Sequence, residues 1–363
     1  MKFFNSATLI TTFLAATKGI NSIKTRTSPL REEAASKGVL IGSGAINPTY
    51  LDDPQFAAVL TEQFESLSPE NDMKWSFIHP TKGHYNWETI DRLVQFAEAH
   101  DMVVKGHGLI SSCCNPDYLV NITDPTAFRA AMTAHFKAVM QRYRGKVDRW
   151  DVVTEALKTQ GGGLQINDFY KVLGPRYVDD AFRIARAAVP DAKLFINEAM
   201  VESFAGKRQE LYNLVSRLVA DGVPIDGVAL QMHITEGLPV QPGVIKEMVD
   251  SYKTLGLEVS IAEMDVHTLN TTLQTNIYSA IVSEALDAGL TDISFWGFTD
   301  KHAYTWIKGA KPLMFDEYYN PKGAFYATHT ALTSFDNEPQ TKGQSAFGNL
   351  SCAKGLHGSL QEE

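Results

Sequence analysis

Two glutamates, Glu155 and Glu263, each close a short apolar run, Trp150-Asp-Val-Val-Thr in one case and Ser260-Ile-Ala in the other. A carboxylate so placed is costly unless it is paired or put to use. On separate strands, two of them suit one reaction. Glycosidic cleavage needs an acid that protonates the departing oxygen and a carboxylate on the other face of the sugar ring. Similar residues end the other apolar runs: Glu70 and Asn71, His107, Asn197 and Glu198, Gln231 and His233, Asp265, Trp296 and Asp300. Singly, each could be a structural salt bridge; as a ring they predict a polar pocket. Trp75, Tyr118, Trp296, Tyr304 and Trp306 lie close by in the chain, each either a sugar platform or an ordinary core or rim aromatic.

A metal site is the competing chemistry, with His107, His233, Asp265 and His267 as ligands. However, no H-x-H ends the first strand and no H-E-x-x-H occurs, and a histidine bonded to a carboxylate accounts for His107 and His233 more simply. We therefore expect neither metal nor cofactor.

The elements that must position these residues are legible as apolar runs at Val39–Ala45, Ser66–Ser68, Met102–Leu109, Arg149–Val153, Lys193–Asn197, Gly227–Gln231, Val259–Met264 and Ile293–Phe298. They mostly lack strict alternation, as strands buried on both faces should. Amphipathic stretches separate them, among them Trp87–His100, Pro125–Tyr143, Val178–Ala187, Gly206–Ala220, Pro242–Leu255 and Thr272–Ala288. Repeated strand–helix units predict an α/β fold, a single-domain (β/α)8 TIM barrel whose active face lies at the strand C-termini. A doubly wound sheet is the alternative, but Gly42-Ser-Gly44 lacks the third glycine of a dinucleotide fingerprint.

With 363 residues, 44% of them hydrophobic, the chain can bury a large core. A net charge of −9 and the absence of any basic run argue against nucleic acid or an anionic membrane as partner. Lys2 and the apolar stretch from about Ala7 to Ala16 predict an export signal over residues 1–19, too short to span a bilayer. Residues 20–35 are expected to be a propeptide or loose arm, 36–335 the barrel and 336–363 a tail. The expected product is a secreted monomer. Export permits a disulfide, and we expect Cys113 or Cys114 to join Cys352. Asn121, Asn270 and Asn349 begin potential glycosylation tripeptides.

Several stretches together carry a resemblance: Glu70-Asn-Asp-Met-Lys-Trp75, Gly106-His107, Trp150-Asp-Val-Val-Thr-Glu155-Ala, Gly222-Val-Pro-Ile-Asp-Gly227, Gln231-Met-His233, Ala262-Glu263-Met-Asp265 and Trp296-Gly-Phe-Thr-Asp300. From about Val39 to Leu332 the chain resembles glycoside hydrolase family 10, the family of many retaining β-1,4-xylanases. The resemblance implies Glu155 as acid/base and Glu263 as nucleophile. It also implies His233 beside the nucleophile, Gln231 near the reacting centre, and Glu70, Asn71, Lys74, Trp296 and Trp306 lining the glycone side, with His107 and Thr154 as further substrate contacts. The chain departs from the family where Trp-His-Ser-Gln becomes Ser111-Ser112-Cys113-Cys114 and where the following tryptophan becomes Tyr118. Thr154 stands for Asn before the acid/base, Asn197-Glu198-Ala199-Met200 for Asn-Asp-Tyr-Asn, and Met232 for Ser. These positions grip the sugar that is cleaved, and losing bulk there makes room for a hexose. Within the resemblance the fungal tomatinases fit best, which implies hydrolysis between the sugar and aglycone of a plant saponin, with Met200, Met232, Tyr318 and Tyr319 toward an apolar leaving group. Endo-β-1,4-xylanase is the close alternative, and an inactive carbohydrate-binding barrel a third.

Overall fold

The computed structural model describes residues 27–336. Its strands are β1 (Leu40–Ile46), β2 (Ser66–Pro69), β3 (Val103–Ile110), β4 (Arg149–Thr154), β5 (Lys193–Glu198), β6 (Gly227–Leu230), β7 (His233–Thr235), β8 (Glu258–His267) and β9 (Asp292–Phe295). Neighbours pair in parallel throughout, and β1 pairs with both β2 and β9, with Leu40 opposite Asp292 and Ser43 opposite Phe295. The sheet therefore has no edge. Both β6 and β7 pair with β8, so together they fill one place in a closed eight-stranded barrel. The break between them was not expected: Met232 takes a left-handed backbone, φ 68°, which interrupts the ladder. Strand β9 stops at Phe295, short of the expected Phe298, because Gly297 turns the chain at φ 93°.

Helices fill the connections and cover the outside of the barrel, and every one expected is present within two residues at either end. The longest, Pro125–Arg142, starts on a proline with the Asp124 carboxylate accepting from Ala127 N–H. It buries Phe128, Met132, Phe136, Val139 and Met140 at the expected three- and four-residue spacing. The N-terminal boundary needs correction. A helix, Leu30–Ser36, forms inside the stretch expected to be a loose arm. Leu30 and Ala34, four residues apart, make a single buried face, and Leu30 N–H donates to Gln63 Oε1 at 3.0 Å. The expected export signal, most of the tail, Asn349 and Cys352 lie outside the described residues. Asn121 and Asn270 are both exposed, and Asn270 Oδ1 caps the helix Thr271–Asp287.

Two glycines set how closely the barrel interior packs. A Cβ on Gly106 would lie 2.2 Å from the Trp150 ring, and one on Gly44 would lie 2.7 Å from that of Trp296. Gly44 thus lets the Trp296 indole lie directly against β1 at the mouth of the barrel.

Candidate active site

The C-terminal ends of the strands carry nearly all the polar residues singled out from sequence. Glu155 follows β4, while Glu263 lies within β8 and is buried. Gln231, between β6 and β7, touches both: its side-chain amide donates to Glu155 Oε1 at 3.4 Å, and its carbonyl accepts from Glu263 N–H at 3.1 Å. Non-glycine residues with positive φ gather at this face, at Ala45, Glu155, Met200 and Met232. Each such conformation costs on the order of 1–3 kcal/mol and persists only where surrounding structure imposes it.

Glu263 is held by groups from two other strands, β5 and β7. Asn197 Nδ2 donates to its Oε1 at 2.8 Å, and His233 Nε2 lies 3.4 Å from its Oε2. The other nitrogen of His233 meets Asp265 at 2.9 Å, and His267 meets the same Asp265 oxygen at 2.9 Å. Burial alone would lower the His233 imidazole, but Asp265 and Glu263 hold it well above its usual value. Burial would likewise lift the Asp265 carboxyl, and the two histidines more than reverse this. His233 thereby sits between two carboxylates that both favour its protonated form. On the opposite side, Asp151 accepts from His107 and from Asn197 Nδ2, both at 3.0 Å. His107 and His233 are thus each bonded to a carboxylate, as expected. Two triads, His233–Asp265–His267 and His107–Asp151–Glu263, bring donor atoms within 4.8 Å of one another, and these contacts already join their members.

Around Glu155 the environment differs. Ser112 Oγ donates to Oε2 at 2.6 Å. Burial raises this carboxyl, yet Ser112, Gln231, Lys74 and His233 together hold it below the ordinary carboxylate range. Lys74 also donates to Asn71 Oδ1 at 3.0 Å, and half-buried Glu70 lies beside that pair in sequence. Trp296 lies 5.1 Å from the His107 ring, and half-exposed Trp306 meets His233 edge-on at 4.9 Å. A cavity of about 230 Å³ beside Glu155 is lined by Ser112, Leu157, Met200, Gln231, His233 and Trp306, among others.

Other expectations fail on burial. Thr154 spends its hydroxyl on the Ile110 carbonyl, 3.3 Å away, rather than presenting it to a ligand. Trp75 is no sugar platform: it is buried, stacks on His135 at 3.9 Å, and donates to the Tyr118 hydroxyl. Met232 is fully buried, and Tyr319 is buried and bonded to Asp53, so neither faces a leaving group. Cys113 and Cys114 are bonded to each other, which corrects the expected link to Cys352. The sequence reading also missed three contributors. Asp151 was visible as a charge inside an apolar run, and Ser112 was read only as lost bulk. Lys207, whose ammonium lies 2.8 Å from Glu198 in full burial, gives no local signal at the start of its helix.

The model of glycosyl hydrolase family 10 matches residues 29–331. Endo-1,4-beta-xylanase B of Thermotoga neapolitana is 34% identical over 325 residues, covering 85% of this chain and 92% of that protein. Endo-1,4-beta-xylanase 3 of Hypocrea jecorina is 33% identical over 290 residues, covering 80% and 81%. Among solved structures, native xylanase 10B of Thermotoga maritima superposes with a TM-score of 0.79 at 35% identity, covering 84% of this chain and 98% of its own. Xylanase 10B of Thermotoga petrophila, solved with xylobiose, gives 0.80 at 34%, covering 84% and 97%.

Proposed function

Because the chain belongs to glycosyl hydrolase family 10 and is a retaining glycoside hydrolase, we propose that it cleaves β-1,4-linked xylan with Glu263 as nucleophile and Glu155 as acid/base. The observation that carries this reading is Gln231, whose side chain donates to the Glu155 carboxylate while its backbone carbonyl accepts from Glu263 N–H, so that both glutamates are tied to one reacting centre. The Glu263 carboxylate attacks the anomeric carbon while the Glu155 proton passes to the departing glycosidic oxygen. Water then attacks the glycosyl–enzyme ester, gives its proton to the Glu155 carboxylate and frees Glu263. Asn197 and His233 fix the nucleophile through contacts at 2.8 and 3.4 Å. Xylan is supported as substrate by two relatives named as xylanases, most of whose lengths the chain covers. The export sequence at residues 1–19 suits an enzyme that meets plant polysaccharide outside the cell.

A second reading, a β-glycosidase acting on a plant saponin such as α-tomatine, is favoured by one feature. The serine pair that replaces Trp and His follows β3, with Ser112 bonded to Glu155, and Leu157, Met200 and Trp306 give its cavity apolar walls. Incubating the purified protein with xylan and with α-tomatine, and identifying products by mass, separates the two. Xylo-oligosaccharide release supports the first. A saponin stripped of its oligosaccharide, with xylan intact, overturns it. In that case Ser111→Trp with Ser112→His should lower saponin hydrolysis by crowding the hexose, at about 1–3 kcal/mol per misfit.

A further inference from the structure

Glu155 is gripped unevenly. Its Oε1 has the Gln231 amide at 3.4 Å, whereas its Oε2 accepts the Ser112 hydroxyl at 2.6 Å. Ser112 belongs to a loop fixed at several points: the Cys113–Cys114 bond follows it, Ser76 N–H donates to the Cys114 carbonyl at 2.8 Å, and Asn115 Nδ2 donates to Asp168 at 3.2 Å. The hydroxyl is therefore presented by a braced segment. We propose that Ser112 is a positioning residue for the acid/base, holding Oε2 of Glu155 through a hydrogen bond that the carboxylate makes best. This rests on the reading of Glu155 given above.

The two halves of the reaction ask opposite things of Glu155. The first consumes its proton; the second needs it ionised to take a proton from water. A hydroxyl donating to the carboxylate favours the ionised form, and so the second half. The charged groups facing Glu155 act in both directions. Lys74 and His233 favour the anion, and the neighbouring Glu198 opposes it. Among the described residues, Ser112 is the one neutral donor of normal hydrogen-bond length to Glu155. The resulting balance, a carboxyl lying below its usual range in spite of burial, agrees with the geometry. Ser112 thus trades some strength of the acid for readiness of the base.

The test compares wild type, Ser112→Ala and Ser112→Thr. The carboxyl of Glu155 is titrated by 13C NMR, with its signal assigned by its loss in Glu155→Gln. In parallel, the pH profile of kcat/KM is measured on an aryl β-xylobioside whose leaving group needs protonation. In Ser112→Ala the Glu155 titration and the alkaline limb of kcat/KM should both rise by about one pH unit, the size expected from losing one charge-assisted hydrogen bond. Ser112→Thr keeps a hydroxyl and should stay near wild type. Unmoved values in Ser112→Ala overturn the proposal. So does an equal shift in both variants, which would mark a disturbed loop rather than a lost donor. If no variant turns over the xylobioside, the xylan reading fails while the NMR titration still decides the role of Ser112.

Discussion

Substituting Lys207 by Met tests how far the site depends on charge buried beneath it. The Lys207 ammonium lies 2.8 Å from Glu198 Oε1, and the two side chains are 1% and 0% exposed. The other oxygen of Glu198 accepts from Leu157 N–H at 3.0 Å, two residues beyond Glu155, so the pair braces the chain that carries the acid/base. At an effective dielectric near 20, the attraction across 2.8 Å is about 6 kcal/mol. Less than that should be lost, because Glu198 keeps its backbone donors and can take up a proton. We expect Lys207→Met to cost about 3–5 kcal/mol, the usual loss when one partner of a buried pair is removed. Burial already raises the Glu198 carboxyl against the pull of Lys207, and removing the lysine raises it further. A carboxyl raised in the fold binds more protons folded than unfolded, so the variant's stability falls as pH climbs above the unfolded value. Urea unfolding should therefore show a larger deficit at about pH 8 than at about pH 5. Glu198→Leu added to Lys207→Met should restore much of the loss. A single variant within about 1 kcal/mol of wild type, or an equal deficit at both pH values, would refute this account.

Other expectations follow from the same contacts. Glu263→Ala should abolish turnover of every substrate, since no covalent intermediate can form. Glu155→Ala should retain most activity on aryl glycosides with good leaving groups and lose it on natural ones; equal losses on both, measured as kcat/KM, would count against its role. Glu202 is buried, and that burial pushes its carboxyl up to about 7 against the pull of its own backbone N–H and that of Met200. Its ionisation thus costs stability progressively as pH rises from about 4.5 to about 7. Glu202→Gln should match wild type at about pH 5 and exceed it by up to about 3 kcal/mol at about pH 8 in denaturant titrations.

The barrel was legible because parallel strands buried on both faces read as continuous apolar runs, and each run ended on a residue too polar to be there by packing alone. Trp150-Asp-Val-Val-Thr-Glu155 shows both signals. What stayed hidden was long-range pairing. Nothing local marks Lys207 as the partner of Glu198, and Ser112 gains its meaning only when β3 and β4 lie side by side. Thr154 misled for the reverse reason: it sits in a stretch that resembles a substrate-binding motif and spends its hydroxyl on the Ile110 carbonyl. Trp75, open between sugar platform and core, proves to be core, with its indole N–H given to Tyr118. Residue type locates a site more reliably than it says which way a side chain will face.

The seam between β1 and β9 has a consequence for how the molecule is made. The strand beginning at Leu40 waits for a partner at Asp292 that emerges from the ribosome only after all the other strands have been made. Until then the nascent sheet is an open curl with two bare margins and an uncovered apolar interior, a form prone to association with other chains. The N-terminal helix Leu30–Ser36, which packs against the last helix Gly323–Ser334, is joined late for the same reason. Slowed elongation or truncation ahead of Asp292 should therefore yield aggregate rather than a smaller folded product.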